Sequence, residues 1–130
     1  MGGMEQAAED FTGRLGVRIR DGRRHGTFVL AVTGELDHDT AAPLKEALAS
    51  HLTAERIVVD CSELDFCDST GLNVLLRTRL RMAEGGGRLD LAGLRPPVDR
   101  MFEITGARSV FRVYADAAAA LADAPAAEEA

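Results

Sequence analysis

The chain opens its patterned region with strict alternation, Leu15, Val17 and Ile19 set between Arg14, Gly16, Arg18 and Arg20. A period of two puts the apolar residues on one face of a half-buried strand and the polar ones on the other. Asp21-Gly22-Arg23-Arg24-His25-Gly26 is turn chemistry, and the apolar run resumes from Thr27 to Thr33, so the two segments predict an antiparallel hairpin. Arg23 and Arg24 read as a solvated turn, with anion binding as the alternative. Gly34-Glu35-Leu36-Asp37 ends the second strand. Asp39 or Thr40 then offers a cap for a helix in which Leu44, Ala47, Leu48, His51 and Leu52 share a side and Pro43 falls in the tolerant first turn.

Ile57-Val58-Val59 is a β-branched run too short for a helix, and it predicts a central strand from Ile57 to Cys61. Beyond it, Leu72, Leu75, Leu76 and Leu80 recur at helical spacing, and Gly85-Gly86-Gly87 stops the helix. Between strand and helix lies Asp65-Phe66-Cys67-Asp68-Ser69-Thr70-Gly71-Leu72, a turn that carries a hydroxyl to a helix N-terminus. Unpaired backbone N–H groups and the positive end of the macrodipole favour a capping oxygen or an anion there. Arg88 to Gly93 predicts a fourth strand, with Asp90 on the less covered face or near an edge. A helix follows from Pro96-Pro97 to Gly106 with Val98, Met101 and Phe102 on its apolar side. Val110 to Tyr114 predicts a fifth strand, and Asp116 a cap for an alanine-rich last helix ending near Ala122. Residues 1–11 are expected to be a flexible leader, residues 12–123 one domain and residues 124–130 a flexible acidic tail. The fold class is α/β in the order β-β-α-β-α-β-α-β-α, its central sheet mostly parallel because helices separate the later strands.

The pattern Asp60-x-Ser62-x-Leu64-x-Phe66-x-Asp68-Ser69-Thr70-Gly71-Leu72, with Gly34-Glu35-Leu36-Asp37 upstream, resembles the STAS family, named for sulfate transporters and anti-sigma factor antagonists. The resemblance spans roughly residues 14 to 122. It implies a single-domain STAS-like fold with an antiparallel N-terminal strand and helices mainly on one face. In the antagonist branch, the serine directly after this aspartate is phosphorylated by a partner kinase, which here is Ser69. The resemblance thus implies a phospho-switchable binding module, with Asp37, Asp68, Ser69, Thr70, Gly71 and Asn73 forming the partner surface. Its partners would be an anti-sigma factor with serine kinase activity, itself supplying ATP and magnesium, and a resetting phosphatase. For Asp37 the plain alternative is a loop acid that ends a strand; for Asp68, Ser69 or Thr70 it is an N-cap; for Asn73 it is a solvated side chain. The competing reading of the whole chain is a non-switching scaffold, for example a subunit of a lipid-transport ATPase.

Composition narrows these readings. Among 130 residues, 21 Asp and Glu against 15 Lys and Arg give a net charge of −6, which repels a nucleic-acid backbone. No apolar run approaches a membrane span, and the polar, acidic Met1 to Asp10 segment points to the cytoplasm. Cys61 and Cys67 match no metal-ligand spacing and read as reduced thiols, while Gly85-Gly86-Gly87 lacks the residues of a phosphate loop, so neither metal nor cofactor is expected. Catalysis is not expected either. Ser69 has no G-x-S-x-G elbow, and nothing in the sequence sets His25, His38 or His51 as its base; His38 reads as surface loop and His51 as a packed helix residue.

Overall fold

The computed structural model describes residues 9–12 and 14–123. A six-stranded sheet carries the strands in chain order: β1 Glu9–Thr12, β2 Leu15–Asp21, β3 Thr27–Leu36, β4 Arg56–Cys67, β5 Arg88–Ala92 and β6 Val113–Tyr114. The pairs β1/β2 and β2/β3 are antiparallel, and the three pairs from β3 to β6 are parallel. The helices are α1 Ala42–Ala49, α2 Ser69–Glu84, α3 Pro96–Thr105 and α4 Ala117–Ala122, with a 3-10 turn at Ala107–Ser109. Glu9–Thr12 is the departure from the expected order. Its four residues lack an apolar alternation, yet they pair with Leu15–Arg18, so the sheet reaches into the last part of the expected leader. Residues 1–8 and the acidic tail 124–130 lie outside the described residues.

One face of the sheet makes the main core. Leu30, Val32, Ile57, Val59, Leu89 and Leu91 meet Leu44 and Leu48 of α1, Leu72, Leu75 and Met82 of α2, and Val98 and Phe102 of α3. The opposite face holds a small cluster, Val29, Val58 and Ala92 under Ala120 of α4. Strand alternation therefore puts three helices on one side and one short helix on the other. The α2 stripe differs from the leucine spacing: Gly71, Leu72, Leu75, Thr78 and Met82 are buried, whereas Leu80 is 58% exposed. Met82 lies two turns beyond Leu75, within about 20° of it around the helix axis, while Leu80 is rotated about 140° away from Leu75.

β4 is longer than the Ile57 to Cys61 segment because two bulges carry it through the expected turn. Ala31 pairs with Asp60 but Thr33 with Glu63, and Gly34 pairs with Leu64 but Glu35 with Phe66. Each shift adds one residue to β4 and reverses its alternation. The inward positions consequently run Ile57, Val59 and Cys61, then Leu64, then Cys67, all in the main core. β6 is shorter than Val110 to Tyr114. Phe111 turns into the core against Phe102, with ring centroids 6.3 Å apart, and only Val113 and Tyr114 pair with β5.

Asp90 lies on the less covered face, as its alternation with Leu89 and Leu91 requires, but it is buried and not at an edge. Its Oδ2 accepts from Arg56 Nε at 2.8 Å and from Arg88 Nη2 at 2.7 Å. The Arg56 guanidinium lies 5.7 Å from the Tyr114 ring centroid, and the Tyr114 hydroxyl donates to Asp123 at 2.6 Å. Pairing is what admits these charges to the interior.

Candidate functional site

Because β3 and β4 run parallel, both end at the same edge of the sheet, with Leu36 beside Cys67. One residue, Asp68, separates the last residue of β4 from the first of α2. Its N–H donates to the Leu36 carbonyl at 3.1 Å, and its Oδ1 accepts from Gly71 N–H at 3.0 Å. With an extended backbone at φ −100° and ψ −174°, Asp68 is the N-cap. Ser69 is therefore the first helical residue and Thr70 the second, so neither hydroxyl serves as the cap. The Ser69 side chain is exposed, and among the described residues its Oγ makes no hydrogen bond.

Gly71 is the reason α2 can start so close to the strand ends. A Cβ at this position would lie 2.5 Å from Leu36 Cγ and 3.0 Å from Cys67 Sγ. The residue is buried. It seats the helix against the strand ends. Cys67 beneath it is a buried thiol; burial, and secondarily the Asp68 charge, pushes its pKa up to about 12, so it stays protonated near neutrality.

The neighbouring loop, between β3 and α1, is closed by its own polar groups. Asp37 Oδ1 accepts from Asp39 N–H at 2.9 Å and Thr40 N–H at 3.2 Å, while Asp37 Oδ2 lies 2.9 Å from Arg14 Nη1. The buried Thr40 hydroxyl donates to the Glu35 carbonyl at 2.8 Å and accepts from Asp37 N–H at 2.9 Å. Neither Asp39 nor Thr40 caps α1; the N-cap is Ala41, without a side-chain bond, because Thr40 is committed to the loop. Desolvation pushes the Asp37 carboxyl up, but the Asp39 N–H, the Arg14 guanidinium and Thr40 together hold it below the ordinary carboxylate range. Arg14, which also pairs with Glu35, is delivered by Gly34. At φ +101°, Gly34 carries no side chain where a Cβ would lie 1.9 Å from the Arg14 carbonyl.

The structure thus brings Asp37, Asp68 and Ser69 to one edge of the sheet, through the parallel pairing of the two strand ends. The same edge carries His38, an exposed residue of the loop after β3. His38 Nδ1 stands 3.9 Å from Asp68 Oδ2 and Nε2 stands 3.4 Å from Asp39 Oδ1, so the imidazole spans the two loops. Adjacency to Asp37 was the one sequence signal for it. Donor atoms of Asp37, His38 and Asp39 come within 4.8 Å of one another. Asp37 already spends both oxygens on Arg14 and backbone N–H groups, which leaves it ill suited to a cation. Thr70 and Asn73 line a cleft of about 620 Å³ between α1 and α2 that also exposes Lys45, Arg77, Leu80 and Arg81. No helix among the described residues is long and apolar enough to cross a membrane.

Comparison with known proteins gives this edge a context. The profile of a family described as "Mlab, STAS domain" matches residues 19–113. The anti-sigma-B factor antagonist of Listeria monocytogenes is 37% identical over 84 residues, covering 63% of this chain and 74% of that protein. The anti-sigma F factor antagonist of Paenibacillus polymyxa is 26% identical over 103 residues, covering 77% of this chain and 88% of that protein. The crystal structure of an anti-sigma factor antagonist from Mycobacterium paratuberculosis superposes with a TM-score of 0.73 at 26% identity, over 83% of this chain and 92% of that one.

Proposed function

Since the chain belongs to the STAS domain family, we propose that it is an anti-sigma factor antagonist, a binding protein switched by phosphorylation of Ser69. Unmodified, the edge formed by Asp37, Asp68, Ser69, Thr70 and Asn73 docks an anti-sigma factor that has serine kinase activity, and so withholds it from its sigma factor. That kinase transfers a phosphate to Ser69 Oγ, the complex separates, and a phosphatase restores the hydroxyl. The observation that carries the reading is the exposed, unbonded Ser69 hydroxyl one residue beyond an aspartate N-cap.

The chemistry of that position suits a switch. A phosphoryl group adds about −1.5 to −2 charges. In the free protein it would sit at the N-terminus of a 16-residue helix, whose unpaired N–H groups favour an anion. Inside an interface the same charge must be desolvated beside Asp68, which opposes binding. Nucleophilic catalysis has less support, since an activated serine needs a hydrogen-bonded base and Ser69 Oγ has none among the described residues.

The test is to form the complex with a candidate anti-sigma kinase on gel filtration, then add ATP and magnesium. The complex should dissociate with one phosphate on Ser69, while Ser69→Ala should bind and stay bound. Stoichiometric labelling of Ser69→Ala would move the switch to another residue. No binding of the unmodified protein at micromolar concentration would leave the non-switching scaffold in its place.

A further inference from the structure

We propose that the cleft between the β2–β3 hairpin and the end of α1 binds a small phosphate-bearing anion. This cleft, about 550 Å³, lies at the opposite end of β3 from Asp37. Ten residues of strand at about 3.3 Å each put roughly 30 Å between the two ends, so the cleft is no extension of the Ser69 edge. Its walls present Arg23, Arg24 and His25 from the hairpin and Ser50, His51 and Thr53 from the segment after α1. Against them stands one acidic lining residue, Asp21.

A chain of net charge −6 has acids to spare, yet among the described residues neither Arg23 nor Arg24 has an acidic partner. Arg14, Arg56, Arg88, Arg95 and Arg108 meet a carboxylate. Arg20, Arg77, Arg79, Arg81 and Arg100, like Arg23 and Arg24, do not among the described residues. What sets Arg23 and Arg24 apart is that they stand side by side on one cleft wall. The backbone that carries the two free guanidinium groups is fixed. Gly22 N–H donates to the Thr27 carbonyl at 2.7 Å and Thr27 N–H to the Arg24 carbonyl at 3.0 Å. The Gly26 carbonyl accepts from Glu55 N–H at 3.0 Å, tying the turn to the start of β4. Arginine forks on such a turn match phosphate oxygens at low ordering cost. The Glu55 side chain packs against Gly26 and does not line the cleft.

The other wall is equally well held. His51 packs against Phe28 with centroids 4.6 Å apart and the rings tilted by 60°, and its Nδ1 lies 2.8 Å from the Ala47 carbonyl oxygen. A carbonyl only accepts, so Nδ1 carries the proton and Nε2 is the nitrogen left for another partner. Ser50 Oγ donates to the Glu46 carbonyl at 3.0 Å, and Thr53 adds a second hydroxyl. Two arginines, the His25 imidazole and the Thr53 hydroxyl around a concave space offer donors to a di- or polyphosphate group. Ser50 has given its proton to Glu46, and His51 Nε2 donates only when the ring carries a second proton.

Calorimetric titration of the full chain with pyrophosphate at low ionic strength tests this. Saturable one-to-one binding is expected, weakened at least about ten-fold by the double variant Arg23→Ser/Arg24→Ser. Arg77→Ser/Arg81→Ser removes the same charge from the α1–α2 cleft and should leave the affinity within about two-fold, as should Ser69→Ala. Amide shift changes with pyrophosphate should centre on residues 22–26 and 50–54, which identifies the site even if a variant folds poorly. The proposal is overturned by absence of saturable heat up to about 10 mM ligand, by equal weakening in both double variants, by shifts centred elsewhere, or by binding to anionic lipid vesicles without binding to pyrophosphate.

Discussion

Two arginine–aspartate clusters use the same chemistry under opposite conditions. Arg14 with Asp37 keeps 49% and 14% of its side-chain surface in water, whereas Arg56 with Asp90 keeps 5% and 4%. The first fastens a loop at the Ser69 edge and can be loosened or rebuilt at small cost, because solvent competes for both partners. The second lies between the sheet and the α4 side, and the Arg56 Nη2 and Arg88 Nε atoms find no hydrogen-bond partner among the described residues. Its value lies less in what the pair contributes than in what breaking it would leave behind. The molecule thus keeps its irreplaceable ionic contact away from the Ser69 edge, the surface proposed to bind and release a partner.

Removing Asp90 should have the largest effect. Asp90→Ala leaves the buried Arg56 guanidinium without its carboxylate and beside the partly buried Arg88, and urea unfolding should show a loss of about 3–5 kcal/mol. Asp37→Ala in the same assay should move the midpoint far less, and equal losses would erase the distinction between the clusters. Gly71→Ala comes next, since its methyl group must displace Leu36 or Cys67; about 1–3 kcal/mol is expected, with near-native spectra. Asp68→Ala removes the α2 cap and should cost about 1 kcal/mol. Thr70→Ala, one position inside the helix, should stay within about 0.5 kcal/mol.

The smallest effect sharpens the comparison through pH. The folded-state carboxyl of Asp37 is held below its ordinary range of about 3.9. Its contribution to stability is therefore complete above that ordinary value and is lost as pH falls through the depressed one. The stability gap between the wild type and Asp37→Asn should be flat from pH 7 to about pH 5 and close below about pH 4. A gap that widened on acidification would contradict the Arg14 pairing.

What the sequence made legible follows from the range of each interaction. The Ser69 turn could be read because cap, hydroxyl and helix stripe fall within a few residues, and the β–α alternation could be read because each element keeps its own period. The far end of β4 could not, because its two bulges break that period, so residues after Cys61 looked like a turn. The Arg56–Asp90 pair joins residues 34 apart and has no local signature beyond an aspartate set among leucines. Leu80 keeps the four-residue spacing from Leu76, but each four-residue step overshoots a full turn by about 40°, so Leu80 leaves the buried face while Met82, seven residues past Leu75, stays on it. His38 reaches Asp68 only because β3 and β4 end together, a fact of topology. Strand β1 was missed because pairing, not patterning, makes it; trimming the chain past Thr12 would now be expected to remove a sheet edge and not merely a leader.

The central claim is that charge on Ser69 governs partner binding without disturbing the fold. One unit-charge pair about 6 Å apart at an effective dielectric near 20 repels by roughly 2.8 kcal/mol. With desolvation added and screening subtracted, about 3 kcal/mol remains, or on the order of a 100-fold loss of affinity. The decisive measurement pairs the dissociation constant of stoichiometrically Ser69-phosphorylated protein for its anti-sigma kinase with the thermal midpoint of the same sample. An affinity weaker by about 100-fold at a midpoint within a few degrees of the unmodified protein is the predicted result. Undiminished affinity, or a loss that accompanies a collapse of the midpoint, would contradict it.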